Sequence, residues 1–295
     1  MNILNDLFNK GRLVGVPTGF RVLDSLTGGL REGTLTILAA TTGIGKTLFA
    51  LNILIYLAKL KHNVCYFDLE NGEPETWHRL LMMWFGLDRS FFMNEENALK
   101  VPAMEEDISE HMTLWFEDDL EKWEKPELKG IDLIIRLMES NVTSNNIKVY
   151  LIDPLQMMES SLSSSEAFNE QGEIVKKFKR FAQKHNVAVI ICHHLRKSMT
   201  GAGQKVSDLD DVEEKDYFIP TLESLKGSSK ITDTATDVWG MTRTYASENA
   251  GKTLLRILKS RSGKLGDVKL QMDMETLLFN ERGNDEAYKV FDGRA

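Results

Sequence analysis

The stretch that most constrains how this chain folds is residues 34–47, TLTILAATTGIGKT, in which an apolar β-type run gives way to a glycine-containing loop. The loop ends in Gly45-Lys46-Thr47, and an apolar segment of helical character, LFALNILIYLAKL, follows at once. A strand, a tight loop and a helix in this order predict a phosphate-binding loop, because the N–H groups of the loop and the positive end of the helix converge on one point. In such a loop Lys46 reaches the β- and γ-phosphates, and the Thr47 hydroxyl ligates Mg²⁺.

The loop departs from the usual pattern at one position, since Ala40 stands where a first glycine is common. Alanine is compatible with that position when its φ is negative, and Gly43 and Gly45 keep the conformational freedom that the loop needs. The alternative is an ordinary glycine turn before a helix. We expect a nucleoside triphosphate, ATP or another NTP, to contact the consecutive residues Thr41, Thr42, Gly43, Ile44, Gly45, Lys46, Thr47 and Leu48.

Composition limits the partners and the compartment. With 295 residues the chain is long enough for one α/β domain with a large core. No apolar run reaches the roughly 18 residues that span a membrane, so we expect no membrane partner. Cys65 and Cys192 both lie in apolar runs, which predicts buried thiols in a reducing compartment, the cytoplasm of a bacterium or of a phage-infected host. The net charge of −8 argues against a uniformly basic surface, but a ring could still concentrate a few Lys and Arg side chains in a central channel.

Apolar, β-branched runs alternate with helical segments through most of the chain. This alternation predicts a mostly parallel sheet that is covered by helices on both faces. The predicted strands are 34–40, 63–70, 112–118, 148–154 and 187–194, and the predicted helices are 47–60, 74–86, 130–141 and 167–185. A polar stretch at 196–229 predicts a long loop. Further strand candidates at 235–245, 252–261, 268–273 and 277–280 follow one another without long helices, which predicts an antiparallel extension of the sheet.

Two strand ends carry acidic groups. In residues 148–154, KVYLIDP, the apolar run ends in Asp153, where a carboxylate could hold the water shell of Mg²⁺, although an apolar strand that ends in Asp is common by itself. In NVCYFDLE, Asp68 and Glu70 lie two apart and would face the same side of a strand. One of them could polarise the water that attacks the γ-phosphate, and the spacing does not choose between them.

Two more strand ends carry His193 and His194, and Lys259 and Arg261. Adjacent residues on a strand point to opposite faces, so one of the two histidines can face the nucleotide, and Cys-His-His in succession cannot converge on one zinc ion. Lys259 and Arg261 share a strand face, and two cations aimed together suit the negative charge that develops in phosphoryl transfer. A solvated edge strand is the alternative.

Taken in order, these segments resemble the RecA-like motor domain of the replicative ring helicases, the group that holds bacterial DnaB, the helicase halves of phage helicase–primases and mitochondrial Twinkle. The matching segments are PTGFRVLDSLTGGLREG, AATTGIGKT, FDLE, LIDPLQMM, ICHHLRK, SLKGSSKITDTATDVWGMTR and RILKSRSG. The resemblance implies an α/β fold, a RecA-like P-loop NTPase core whose mostly parallel central sheet is flanked by helices and has an antiparallel C-terminal extension. It also implies an arm or linker at residues 1–13 and a motor domain at 14–295.

The resemblance implies a role for each motif. Lys46 and Glu70 are catalytic, Thr47 and Asp153 hold the metal, and His194 rather than His193 senses the γ-phosphate. Lys259 is an assisting cation, and Arg261 is an arginine finger that acts on the neighbouring subunit. The DNA-binding residues implied are Arg196, Lys197, Lys226, Gly227, Ser228 and Lys230, with Lys226 at a position where arginine is common.

The function implied is that of a homo-oligomeric ring, a hexamer, which hydrolyses ATP or another NTP with Mg²⁺ at its subunit interfaces. Such a ring translocates on single-stranded DNA and unwinds forked duplex, with a primase, polymerase or loader as further partners. One alternative is a RecA- or RadA-type recombinase that forms filaments. The other is a nucleotide-switched assembly module of the clock-protein or helicase-loader kind, which binds ATP with little DNA-stimulated hydrolysis.

Overall fold

The computed structural model of the chain describes residues 15–123, 130–158, 164–195, 220–225, 229–243 and 251–282. The predicted arm at 1–13 lies outside the described residues. So do five of the residues implied to bind DNA, namely Arg196, Lys197, Lys226, Gly227 and Ser228. Among the described residues, no helix combines the length and the apolar character that crossing a bilayer requires.

The described residues form one sheet whose strands run in the order β3-β2-β4-β5-β1-β6-β7-β8-β9. The strands from β3 to β6 in this order are parallel, and β7, β8 and β9 are antiparallel to their neighbours. This confirms the predicted parallel sheet with an antiparallel extension. The strands are β1 (Leu35–Ala40), β2 (Val64–Asp68), β3 (Met112–Phe116), β4 (Val149–Asp153), β5 (Ala188–His194), β6 (Asp237–Arg243), β7 (Lys252–Ser260), β8 (Gly266–Met272) and β9 (Phe279–Glu281).

The helices cover the sheet and include two that the sequence pattern missed, α4 and α5. The predicted third strand continued to residue 118, but β3 ends at Phe116 because Glu117, Asp118 and Asp119 open α5, where acidic side chains favour a helix start. The helices are α1 (Arg21–Thr27), α2 (Lys46–Lys59), α3 (Glu73–Phe85), α4 (Val101–Ser109), α5 (Glu117–Trp123), α6 (Gly130–Asn145), α7 (Ser164–His185) and α8 (Ser229–Thr234). Short 3₁₀ turns occur at Arg89–Met93, Glu95–Lys100 and Leu155–Met158.

The core lies on both faces of the sheet, as the uninterrupted apolar strands predict. On β1, Leu35 and Ile37 pack in the layer that contains Phe178 of α7. Leu38 of the same strand faces the opposite layer, which contains α2 residues such as Leu51. Cys65 and Cys192 are free and buried, as expected from their apolar surroundings. The central strands are therefore held rigidly, and their ends are fixed in space.

The register brings the motif-bearing strand ends to one edge. Ala40 pairs with His194, and Asp68 pairs with Asp153, so the carboxyl ends of β1, β2, β4 and β5 meet. β7 runs the other way, and its last residue, Ser260, pairs with Asp237 at the amino end of β6. The carboxyl edge of the parallel strands therefore carries the phosphate loop, and the amino edge carries Lys259 and Arg261.

Asn52 of α2 fixes the antiparallel extension to the helix of the phosphate loop. This side chain is 2% exposed. Its Nδ2 donates to the carbonyls of Leu48 at 2.8 Å and Leu277 at 3.1 Å, and its Oδ1 accepts the N–H of Phe279 at 3.0 Å. Leu277 has a φ of 62°, and β9 begins beyond it at Phe279 rather than at the predicted residue 277.

We expect Asn52→Ala to lower the free energy of unfolding by about 2–4 kcal/mol, because it leaves a buried N–H and a buried C=O unpaired. Urea denaturation measures this loss. The control is Thr143→Ala, on the exposed face of α6, whose hydroxyl donates to the Glu139 carbonyl of the preceding turn. Its expected effect is within about 0.5 kcal/mol. A loss at Asn52 no larger than the control would contradict the anchoring role.

Candidate active site

The phosphate loop occupies residues 41–45, between β1 and α2. Gly43 and Gly45 have φ values of 83° and 96°, which L side chains rarely adopt, and this explains the need for glycine at both positions. Ala40 ends β1 in extended conformation, so alanine is accommodated there. Gly45 is the N-cap of α2 and no side chain caps that end. The N–H groups of the first turn are therefore available to an anion.

Asp153 holds the two reactive residues at the start of α2. Its side chain is 0% exposed, Lys46 Nζ lies 2.8 Å from Oδ1, and Thr47 Oγ1 donates to Oδ2. Burial lowers the pKa of Lys46, but Cys192 and Asp153 beside it outweigh that effect and raise the pKa overall, so Lys46 is a cation. The Thr47 hydroxyl and the Asp153 carboxylate supply the oxygen ligands that Mg²⁺ prefers, so this pair fits the expected metal.

The structure separates the two acids that the sequence pattern left open. The premise that they share a strand face is wrong, because β2 ends at Asp68. Asp68 is 0% exposed and accepts the N–H groups of Glu70 at 3.2 Å and Asn71 at 2.9 Å, and also the hydroxyl of Thr76. Asp68 therefore holds the turn together. The Glu70 side chain is 42% exposed and faces the site.

Asn71, which sequence reasoning missed, braces the turn that carries Glu70. Its Nδ2 donates to Asp68 Oδ1 at 3.1 Å, and its Oδ1 accepts from Arg79 Nη1 of α3 at 3.2 Å. Arg79 is in turn held by Glu75, whose Oε1 lies 3.0 Å from Arg79 Nε. The position directly after Glu70 is thus fixed both to the sheet and to α3.

His193 and His194 point in different directions, as expected for neighbours on a strand. His194 Nε2 lies 3.3 Å from Glu70 Oε2, and its Nδ1 lies 3.4 Å from Thr42 Oγ1 of the phosphate loop. His193 is 7% exposed, and its Nδ1 lies 2.7 Å from Gln156 Nε2. Because an amide N–H donates, His193 Nδ1 accepts and the ring is neutral. Gln156, which the sequence pattern did not reveal, also bonds the backbone N–H and C=O of His194.

These groups line one cavity of ≈ 420 Å³. At one end are the phosphate loop, Glu70 and His194, and at the other are Arg243, Met272, Met274 and Leu277. Arg243 Nη2 donates to the Gly43 carbonyl at 3.0 Å across 200 positions of sequence. No sequence signal marks Arg243, because the sheet alone brings β6 over the loop.

Among the described residues, ligand atoms of Glu70, Asp153 and His194 lie within 4.8 Å of one another. Two of the three groups are carboxylates, which suit a hard cation, whereas imidazole does not suit Mg²⁺. We therefore keep Asp153 and Thr47 as the metal ligands and leave His194 beside them.

Lys259 and Arg261 lie away from this cavity. Ser260, between them, pairs with Asp237, and Asp237 pairs with Thr36, which precedes Ala40 on β1 by roughly 13 Å at 3.3 Å per residue. Lys259 Nζ and Arg261 Nη2 contact backbone carbonyls at the end of α8. Lys230, the one residue of the implied DNA set that the structure describes, is exposed on α8.

Residues 15–281 match the family model of the DnaB-like helicase C terminal domain. The chain belongs to this DnaB-like family. A probable replicative DNA helicase of Trieres chinensis is 29% identical over 278 residues, which cover 90% of this chain and 57% of that protein. The chain therefore spans little more than half the length of this curated relative.

Two solved structures share the fold of this DnaB-like chain. The first is a DnaB-like replicative helicase whose interactions with primase were studied, with a TM-score of 0.73 and 21% identity, covering 94% of this chain and 65% of that one. The second is the ATPase domain of another protein, with the same TM-score and identity, covering 94% of this chain and 96% of that one. They confirm the expected RecA-like fold class.

The buried His193 of this DnaB-like domain predicts an acid-dependent loss of stability. Burial, with the charges of His194 and Lys46, lowers its pKa from 6.5 to about 3. Between these values the unfolded chain binds a proton that the folded chain does not, so stability is present above pH 6.5 and falls as the pH decreases. From pH 6.5 to 4.5 wild type should lose about 2 kcal/mol more than His193→Gln, as measured by urea denaturation at each pH. Equal losses would contradict a neutral His193.

Proposed function

We propose that this chain is the motor of a replicative DNA helicase, which hydrolyses ATP or another NTP between adjacent copies of itself and uses the energy to move along single-stranded DNA and open duplex. One observation carries the proposal. The groups that bind and attack a triphosphate lie at the carboxyl edge of the sheet, and the exposed Arg261 lies at the amino edge. In a DnaB-like chain, this division favours a site shared by two copies.

Within one copy Arg261 is too far away to serve its own phosphate loop. It follows Ser260, which lies level with Thr36 and thus roughly 13 Å along the strands from Ala40, before the loop begins. Arg31, Lys179, Lys259 and Arg261 cluster on this edge around Asp237, and the pKa of Lys179 is lowered by burial and then by Arg261. A cationic edge of this kind attracts the polyphosphate of a neighbouring copy.

Each residue of the loop edge has a distinct task in this proposal. Lys46 neutralises the β- and γ-phosphates, and Thr47 and Asp153 hold Mg²⁺, which when bound neutralises charge on the phosphate oxygens. Glu70, exposed and held by its braced turn, orients the attacking water and accepts its proton. His194 touches both Glu70 and Thr42, so it is positioned to respond to the presence of a γ-phosphate.

The far end of the cavity suits the base. Met272, Met274 and Leu277 are apolar, and Arg243 has a planar guanidinium that stacks well on aromatic rings. Single-stranded DNA would contact Lys230 and the implied residues outside the described part of the chain, in the channel of a hexameric ring. Phosphate contacts of this kind give affinity that falls steeply with salt and depends little on base sequence.

Membership of the DnaB-like family favours the helicase over a filament-forming recombinase. An exposed carboxylate facing the phosphate loop favours hydrolysis over a passive nucleotide switch. A primase, a polymerase or a loader would act on the assembled ring in the bacterial or phage-infected cytoplasm. These partners belong to the proposal, since one fold relative is described with primase.

ATP hydrolysis with and without single-stranded DNA, measured beside unwinding of a forked duplex, tests the proposal. Arg261→Ala should keep nucleotide binding and lower turnover by about 10³–10⁵-fold, because an arginine finger acts on the transition state. The matched control is Arg256→Ala on the same strand, whose guanidinium pairs with Asp267 at 2.6 and 2.7 Å and should leave turnover nearly unchanged.

Mixing two inactive variants separates a shared site from a site within one copy. Rings of Lys46→Ala and Arg261→Ala subunits contain interfaces with both wild-type residues, so activity should return on mixing. Mixtures that remain inactive although they form rings would contradict the shared site. A wild-type chain that is indifferent to DNA and to its own concentration would contradict the motor as a whole.

The braced turn generates a separate kinetic prediction. Asn71→Ala removes the link between Asp68 and Arg79, so Glu70 loses its fixed orientation while the phosphate loop is untouched. We expect kcat to fall about tenfold, which corresponds to about 1.4 kcal/mol, with the nucleotide dissociation constant unchanged. Asn97→Ala, at a distant 3₁₀ turn, is the control. A change in binding with no change in kcat would contradict a positioning role.

A further inference from the structure

The last turn of α8 engages both cations of the amino edge. Lys259 Nζ contacts the carbonyl of Thr232, that of Asp233 at 3.3 Å and that of Ala235 at 2.9 Å. A lysine ammonium has three N–H groups, so these contacts use all of them. Arg261 Nη2 donates to the same Asp233 carbonyl, and the Arg261 N–H donates to the Thr236 carbonyl at 3.2 Å.

The strand end between the two cations is fixed independently. Ser260 Oγ donates to Asp237 Oδ1 at 2.6 Å, and Arg31 Nη2 pairs with Asp237 Oδ2 at 3.2 Å. The Asp237 side chain is 4% exposed. Because β7 is held there, the Lys259 and Arg261 side chains can change partners without the strand moving.

α8 depends on contacts of this kind. It has six residues, far fewer than the roughly 12–15 that an isolated helix needs to be stable in water. Its own support is the fully buried Ile231 and a close approach to α7, where a Cβ on Gly172 would lie 2.7 Å from Lys230 Cβ. The unpaired carbonyls at its end are satisfied by the two cations. The helix begins directly after Lys226, Gly227 and Ser228, the segment implied to bind DNA.

We propose that the C-terminal turn of α8 is the resting site of the cations that act on the neighbouring copy, so that a triphosphate bound there draws them away and loosens the helix joined to the DNA segment. The inference rests on the proposed function and adds a route of communication. His194 senses the γ-phosphate within its own copy, whereas this route reports the nucleotide of the adjacent copy.

The direction of the exchange follows from the charges. The carbonyls of a helix end present together about half an elementary charge at most, whereas the phosphates of a triphosphate carry full charges. Lys259 and Arg261 therefore prefer the phosphates wherever a neighbour presents them. After hydrolysis and release of phosphate, they return to α8 and hold its end again.

Hydrogen exchange of the full chain as a ring tests the inference. Amides of 231–236 should exchange faster with Mg²⁺ and a non-hydrolysable ATP analogue than with Mg²⁺ and ADP. In Lys259→Met and Arg261→Ala rings, exchange should be fast in both states, and Lys259→Arg should restore part of the difference. Lys264→Met, an exposed lysine nearby, should behave as wild type. Equal exchange of wild type in the two nucleotide states would overturn the inference.

Affinity for a single-stranded oligonucleotide gives a second, independent readout. Wild-type affinity should differ between the analogue and ADP, and Lys259→Met should reduce that ratio to about onefold while its rings still bind nucleotide. An unchanged ratio would overturn the inference and leave His194 as the route. If Lys259→Met does not fold, Lys259→Gln, which keeps two donors, takes its place. A wild-type chain without DNA-stimulated hydrolysis would instead contradict the proposed function.

Discussion

A single buried carboxylate organises the phosphate-binding half of this molecule. Asp153 is wholly enclosed, and an isolated charge there would cost several kcal/mol; it is tolerated because Lys46 and Thr47 both bond to it. Those two residues open α2, so Asp153 ties the end of β4 to the start of the helix. A triphosphate with its metal would exchange partners with this trio without creating a new unpaired charge, because its phosphates and Mg²⁺ replace what each group loses.

The sheet converts this local arrangement into a division of labour. Parallel strands deliver the phosphate loop, Glu70 and His194 to one edge, and the reversal at β7 delivers Arg261 to the other. Neither set suffices for rapid phosphoryl transfer in the mechanism that we propose. The antiparallel extension therefore contributes as much to the chemistry as the phosphate loop does, and Asn52 is the residue that locks it to α2.

The sequence predicted the features that depend on short stretches of chain. The phosphate loop, the parallel strands and the strand-end positions of Asp153 and His194 all follow from local patterns. Features that depend on distant contacts were missed, such as Arg243 over Gly43 and Gln156 between the two histidines. The relation of Asp68 to Glu70 was misjudged, since it turned on where β2 ends. The α8 contacts involve backbone carbonyls, which leave no mark in a sequence. The roles of the site residues remain predictions.

Complementary groups on opposite edges of one sheet make a head-to-tail interface, in which every copy offers a different surface to each of its two neighbours. Such an interface closes into a ring when the rotation between copies permits and otherwise continues as a helix. A closed ring on this plan has as many complete catalytic sites as subunits. A ring that opens at one seam to admit a DNA strand has one site fewer, and the subunit at the gap is left with a phosphate loop that no arginine can reach.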